Sequence, residues 1–331
     1  MKKIIVYIIL LVGEMFLVSS CSEDVDYAKT FDSVLIERED SDPQSGKSFD
    51  DYTSDLLLAD PFILKDDDGY YVYGTGPKCS TGIEAYYSKD LFNWEYCGFV
   101  FLKEQAGLKG TMWAPEVYKR GNKYLIYFTD AGTGYKNTYV AQSDSPKGPF
   151  TDPKFIVSNA LDPTLFIDNG DSYLFCSGSA EGTQRIYYSK LSEDMTSIIG
   201  DKKICVFPDL PWEGTIVEGP SVFKYNNHLY LAYSGQVYTS LSYSVGLSYF
   251  SLDDGSCKKM TEPILTSNGI WFGTGHCSFF YDNNSDLRIV FHAHNSINKV
   301  DPRRTYIGRI YNANGNLVVG NTFVIPHVLN N

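Results

Sequence analysis

The sequence predicts an all-β fold, a five-bladed β-propeller. Three observations predict it: a strand-turn-strand pattern that returns five times, a near absence of helical periodicity, and a composition rich in β-formers. Aromatic residues make up 15% of the 331-residue chain and include 26 tyrosines, which suits a structure built of strands. No sustained i, i+3, i+4, i+7 pattern occurs beyond the N-terminal leader, which argues against α/β architectures.

The first copy reads DPFILKDDDGYYVYGTG from Asp60. Pro61 fixes its own φ and pushes Asp60 towards extended backbone, so the pair opens a strand. Phe62-Ile63-Leu64 is a short apolar run, Asp66-Asp67-Asp68-Gly69 a turn, and Tyr70-Tyr71-Val72-Tyr73 the returning strand. The pattern recurs as APEVYKRGNKYLIYFTD from Ala114, DPTLFIDNGDSYLFCSG from Asp162, EGPSVFKYNNHLYLAYSG from Glu218 and, more loosely, GHCSFFYDNNSDLRIVFHAH from Gly275. The markers Pro61, Pro115, Pro163, Pro220 and His276 fall 54, 48, 57 and 56 residues apart. A period near this length, all β, with turns rich in Gly, Asn and Asp, is what a propeller blade needs. Five copies imply five blades.

Ahead of the blades stands the leader MKKIIVYIILLVGEMFLVSSC. Lys2 and Lys3 precede an apolar stretch of signal-peptide length, too short to span a bilayer. Val18-Ser19-Ser20-Cys21 resembles the lipobox of bacterial lipoproteins, which implies cleavage before Cys21 and a lipid on its sulfur. Ser22-Glu23-Asp24 resembles the export signal of some Gram-negative surface lipoproteins. The expected place is the outer membrane or cell surface, with a periplasm-facing anchor as the alternative, and the lipid is the only membrane contact. Residues 22–56 carry eleven acids against Lys29, Arg38 and Lys47, a net −8 of the chain's −12. The expected organisation is therefore a signal peptide over 1–20, a lipidated cysteine and acidic flexible tether over 21–56, and the propeller over 57–331. Nothing is basic enough to attract nucleic acid.

Six cysteines remain after Cys21, with no CxxC pair, so a zinc site is not expected. An exported domain permits disulfides, and sequence does not choose among the 15 connectivities of six cysteines.

In a propeller the innermost strand of each blade runs along the central channel, so residues at equivalent strand starts converge on one end of it. Three of the five starts carry an acid: Asp60, Asp162 and Glu218. Like charges so gathered raise one another's pKa, and such clusters are usually functional. Hydrolysis of a glycosidic bond needs two carboxyl groups in opposite protonation states, and a third acid can orient its neighbour and hold it protonated.

The ordered set Leu58-Ala59-Asp60-Pro61-Phe62, Trp113-Ala114-Pro115-Glu116, Leu161-Asp162-Pro163-Thr164-Leu165-Phe166 and Val217-Glu218-Gly219-Pro220, closed by Gly273-Thr274-Gly275-His276 and Phe291-His292-Ala293, resembles glycoside hydrolase family 43. The resemblance spans roughly residues 56–312. It implies a five-bladed propeller that hydrolyses arabinose- or xylose-containing plant polysaccharides with inversion at the anomeric carbon. Asp60 would be the general base, Glu218 the general acid, and Asp162 the residue that tunes and orients Glu218. An inverting pair needs about 6.5–9.5 Å between base and acid, leaving room for the water.

Around the acids, Trp113 is expected at the funnel rim, where an indole stacks on a sugar ring. Trp271 is a second candidate wall. Glu116 is expected as a blade-edge acid in a hydrogen bond or ion pair. The resemblance implies that His276 sits near the channel axis as a substrate-binding residue, in some members beside a structural calcium held through water; the competing account is an ordered, uncharged histidine donating to a backbone carbonyl. No cofactor is required for the reaction. His292 and His294 alternate to one face of a strand like a metal pair, but no third ligand is evident. The family often places an arginine after the last full hairpin. Arg303 and Arg304 both qualify, and Arg304 is the expected one.

The reading that results is an inverting exo-glycosidase that removes a terminal α-L-arabinofuranosyl unit. Its alternatives are a β-xylosidase or galactosidase of the same fold, and an inactive propeller that captures glycans, which would not need all three carboxylates. The invertase-type Asn-Asp-Pro-Asn signature is replaced by Ala59-Asp60-Pro61-Phe62, and no Gly-His and Trp-Asp pairs recur as in WD repeats.

Overall fold

The computed structural model describes residues 52–329 together with the strand Leu35–Glu37. The expectations for the signal peptide, for Cys21 and for most of the tether lie outside the described residues.

Five sheets, antiparallel apart from edge strands of the first and fifth, follow one another along the chain. Their innermost strands are Ala59–Asp66, Thr111–Arg120, Leu161–Asp168, Val217–Tyr225 and Gly275–Tyr281. Each packs on the next and the fifth packs on the first, so the ring is closed around a central channel. Among the described residues the helical content is one 3-10 turn, Pro211–Glu213, and no helix is long and apolar enough to cross a membrane.

Closure joins strands from either end of the described residues. His327–Leu329 adds to the outer edge of blade 1 in parallel with Asn93–Leu102, and pairs antiparallel with Tyr52–Asp55. Leu35–Glu37 runs parallel to Asn316–Val324 on the outer edge of blade 5. The expected boundary at 57 is thereby corrected: Tyr52–Asp55 is a strand of the blade 1 sheet, not tether, because its backbone partners lie in the C-terminal strand.

No single core exists. Five apolar clusters fill the five seams between neighbouring blades. A blade is thus buried on both faces, and its second strand reads as a near-continuous apolar run rather than an alternation. Leu287–Ala293 is buried at every position, and Lys123–Gly132 at all but its ends.

One local feature repeats at the mouth of all five blades. The pairing of the first two strands slips between Ala59 and Phe62, Trp113 and Glu116, Leu161 and Thr164, Glu218 and Ser221, and Gly275 and Ser278. Inside each slip one residue takes a left-handed backbone: Asp60 (φ 51°), Ala114 (44°), Asp162 (56°), Gly219 (57°) and His276 (41°). These are β-bulges, which bend a strand and re-aim its side chains. The extended backbone expected of Asp60 before Pro61 is therefore replaced by a left-handed one.

The tertiary reason is a ring of hydrogen bonds. The amide of each bulged residue donates across the seam to the second strand of the preceding blade: Ala114 to Thr75 Oγ1 (2.8 Å), Asp162 to Thr129 Oγ1 (3.2 Å), Gly219 to Ser177 Oγ (3.2 Å), His276 to Ser234 Oγ (2.7 Å) and Asp60 to His292 Nδ1 (3.0 Å). Thr129 is fully buried, so Thr129→Val should leave the Asp162 amide unpaired and cost about 1–3 kcal/mol. Urea unfolding checks this, with Thr129→Ser, which keeps the hydroxyl, expected to lose less.

Candidate active site

The five bulges open into a cavity of about 550 Å³ lined by Asp60, Asp162, Glu218, His276, Trp113 and Arg303 among others. The three acids predicted from sequence share this one pocket, but not at equivalent positions. Asp60 and Asp162 occupy the left-handed position of their bulges, whereas Glu218 precedes it and faces Ser234 as Trp113 faces Thr129. Glu218 is the counterpart of Trp113, one residue out of step with the other two acids. Gly219 holds the left-handed position instead, and a Cβ there would lie 3.0 Å from the His276 ring.

Asp60 is surrounded by polar partners. Its Oδ2 accepts from Thr75 Oγ1 at 2.6 Å, and its Oδ1 lies 3.2 Å from Arg303 Nη1, 3.3 Å from His276 Nδ1 and 3.4 Å from His292 Nδ1. Burial alone would raise its pKa. Arg303, His276, His292 and the Thr75 hydroxyl overcome burial and hold the carboxyl well below its ordinary range.

Asp162 and Glu218 go the other way. Burial raises Asp162, and the Asp60 charge adds to it, against hydrogen bonds from the Gly219 amide (3.1 Å) and Ser177 (3.3 Å). Burial raises Glu218, with the Asp162 charge next, to about 7. Gln184 Nε2 donates to Glu218 Oε2 at 2.6 Å and the Tyr243 hydroxyl to Oε1 at 3.0 Å. Tyr243 reaches this position over Gly275, where a Cβ would lie 1.9 Å from the phenol ring. Asp162 orients Glu218 through the backbone, by holding the amide of the very next residue.

Of the other expected site residues, Trp113 lines the pocket, with Lys136 Nζ 5.8 Å from its ring centroid. His276 lines it too and faces Asp60; burial lowers its pKa, leaving it neutral. Trp271 is corrected. It is 3% exposed and packed edge-on against Phe291 and Phe323 in the seam between blades 4 and 5, because the Gly273–Gly275 turn separates it from the mouth. Arg304 is corrected as well: it opens the strand Arg304–Ala313, whereas Arg303 still belongs to the loop before it. Arg304 pairs with Asp55, while Arg303 reaches Asp60 and lies under Tyr238, 4.7 Å from the ring centroid.

Glu116 is not at a blade edge. It is buried and accepts from the Tyr118 hydroxyl, and burial pushes it up to about 8. His292 and His294 do not form a metal pair, since His292 serves Asp60 and His294 Nε2 meets the Tyr238 carbonyl at 2.7 Å. Among the described residues no group of three or more His, Cys, Asp or Glu side chains is placed to hold a metal ion, and Cys79, Cys97, Cys176, Cys205, Cys257 and Cys277 are free thiols.

Thr75, Ser177, Gln184, Tyr243 and Lys136 complete the site beside Arg303 and were not singled out from sequence. Thr75 and Ser177 carry a signal that alignment of the second strands brings out: with Thr129 and Ser234 they place a hydroxyl at the same step of four blades. Arg303 is the strongest of the groups that oppose burial at Asp60. Arg303→Ala should therefore give glycoside hydrolysis an acidic limb at higher pH and cut kcat/KM by about 10²-fold. Arg304→Ala should leave the pH profile of kcat/KM unmoved.

This geometry agrees with what comparison finds. Residues 53–316 match the Glycosyl hydrolases family 43. The chain is 26% identical over 283 residues to the extracellular exo-alpha-(1->5)-L-arabinofuranosidase ArbA of Cellvibrio japonicus, covering 71% of this chain and 78% of that one. It is 28% identical over 300 residues to the enzyme of the same description from Streptomyces avermitilis, covering 78% of this chain and 60% of the relative. Among solved structures, one described as an endo-1,4-beta-xylanase of Bacteroides thetaiotaomicron superposes with a TM-score of 0.78 at 30% identity, covering 84% of this chain and all of that one. With the family matched over most of its length and three carboxylates in the mouth of its propeller, the chain belongs to glycoside hydrolase family 43.

Proposed function

We propose that the protein is an inverting exo-glycosidase that releases a terminal α-L-arabinofuranosyl unit from plant cell-wall polysaccharide. One observation carries the mechanism: in a single pocket Asp60 is held ionised while Glu218 is pushed towards its protonated form. Those are the two states that a general base and a general acid need at neutral pH. Asp60 takes a proton from a water molecule as that water attacks the anomeric carbon. Glu218 gives its proton to the glycosidic oxygen as the bond to carbon breaks. Asp162 keeps Glu218 protonated by its nearby charge and holds it in place through the Gly219 amide.

The choice of sugar is supported by the relatives named as arabinofuranosidases. β-Xylosidase is the second reading, favoured by a relative from Humicola insolens described as a xylosidase/arabinosidase, 27% identical over 190 residues. Exo action is supported by the relatives described as exo-alpha-(1->5)-L-arabinofuranosidases. A glycan-binding propeller would not need an ionised Asp60 beside a protonated acid.

We further propose that the chain is anchored by a lipid on Cys21 and works at the outer surface of a Gram-negative cell. The leader and the Ser22-Glu23-Asp24 stretch support this, as do relatives described as extracellular. The described side chains do not fit a protein cage for calcium, which prefers several oxygen ligands: His276 faces Asp60, and no cluster of ligands surrounds it. No step of the reaction is assigned to an ion.

Three outcomes are expected. NMR of the anomer first released from aryl α-L-arabinofuranoside should show the inverted sugar; retention would remove the mechanism. Glu218→Gln should lose far less rate on an aryl glycoside with a good leaving group than on a natural linkage, and equal losses would reject the acid role. The pH profile of kcat/KM should fall on the alkaline side through about 7, as Glu218 deprotonates, and Asp162→Asn should move that limb to lower pH because a charge that raises Glu218 is gone.

A further inference from the structure

We propose that Lys136 and Lys202 form a subsite for a hexuronate carboxylate on the leaving glycan, so that the substrate is an acidic polysaccharide carrying the terminal pentose. This rests on the reading of the pocket as the site of an exo-glycosidase.

Lys136 stands near the start of the third strand of blade 2, Tyr135–Ser143, and lines the catalytic pocket. Its Nζ lies 5.8 Å from the Trp113 ring centroid. Lys202 is exposed, just before the outer strand of blade 3, Lys203–Val206, and its Nζ lies 3.9 Å from the Tyr187 centroid. The two meet at one seam. The Lys136 carbonyl accepts the Ala160 amide at 3.0 Å, and a Cβ built on Gly178 would lie 2.9 Å from the Asn159 carbonyl and 3.5 Å from Lys202 Nζ. The lysines thus flank the Asn159-Ala160 step, from which the inner strand of blade 3 enters the pocket.

No described carboxylate lies within ion-pair distance of either ammonium: Glu181 is taken by Arg185, and Asp60 and Asp301 by Arg303. Asp162 feels Lys136, yet burial and then the Asp60 charge push it towards its neutral form, so it does not cancel that cation. The leaving chain passes on this side. Glu218 must meet the glycosidic oxygen, and its Oε2 is held by Gln184, which pairs with Ser179 on the same hairpin as Gly178. Lys202 lies over that hairpin. Arg303 stands with Asp60, on the opposite face, from which an inverting enzyme delivers water. A sugar that covers Lys136 strips water from an ammonium, and a carboxylate repays this with a charge-assisted hydrogen bond where a hydroxyl does not. The chain as a whole is acidic, with a net charge of −12, so its general field repels an acidic glycan and any attraction must come from a local pair of cations.

The test uses the full chain and two polymers, a glucuronoarabinoxylan and an arabinan-bearing galacturonan. Each is set beside the same polymer with its carboxyls reduced to primary alcohols, which leaves every linkage and terminal pentose in place. At low ionic strength at least one acidic polymer should be cleaved with kcat/KM about tenfold above its reduced form, a difference that added salt closes. The arm that shows it names the source of the carboxylate. Lys136→Gln and Lys202→Gln should each cut the acidic-to-reduced ratio by about threefold. The ratio isolates charge, because losing a plain hydrogen bond from Lys136 to a sugar hydroxyl lowers both forms alike. Equal kcat/KM on acidic and reduced forms in both arms, or a preference that both variants keep, would overturn the proposal. If neither polymer releases a pentose, the exo-pentosidase reading has failed, and the subsite is read by binding instead. In native gels the acidic polymer should then retard the chain more than its reduced form does, and the doubly substituted variant should lose that difference. Equal migration of the unsubstituted chain in both gels would remove the subsite.

Discussion

The structure depends on five amides that cannot be satisfied within their own blades. At each mouth the inner strand bulges, its ladder is interrupted, and one buried N–H must find a partner across the seam. A buried amide left unpaired costs about 1–3 kcal/mol, so each blade is committed to the side chain that its predecessor offers. The partners are Thr75, Thr129, Ser177, Ser234 and His292. This ring sets the left-handed backbone at Asp60 and Asp162, and that backbone turns both carboxyls into the channel. Fold and site share one set of hydrogen bonds.

Three carboxylates in one buried pocket would ordinarily repel one another until all but one were protonated. The protein resolves the conflict by unequal provision. Asp60 receives a guanidinium, the His276 imidazole and a hydroxyl. Asp162 receives one backbone amide and a serine, and Glu218 an amide side chain and a phenol. The charge fixed at Asp60 raises both Asp162 and Glu218. The asymmetry of donors, rather than the number of acids, divides base from acid.

The blade count and the three acids were legible because both are written locally. Strand, turn and strand lie within a score of residues, and an acid before Pro61 or Pro163 can be seen without knowing its neighbours. The choice between Arg303 and Arg304 was not legible, since it turns on where the loop ends and the strand Arg304–Ala313 begins, and the adjacent pair offers either. Trp271 misled for a related reason: a tryptophan near a mouth fits a sugar platform or a seam core equally well by sequence, and Phe291, Tyr306 and Phe323 claimed it. His292 and His294 alternate as metal ligands would, yet Asp60 and the Tyr238 carbonyl are their partners.

The sequence by itself determined the all-β class, the five blades, the acids of the pocket and the family, because each follows from local pattern and from residue types that no nearby choice could replace. Only the tertiary structure decided the phase of Glu218 against Asp60 and Asp162, the left-handed backbone before Pro61, and the donors that split the acids into ionised and protonated members. Those depend on contacts such as Asp60 with His292, 232 positions apart. They exist only when the first blade closes on the fifth.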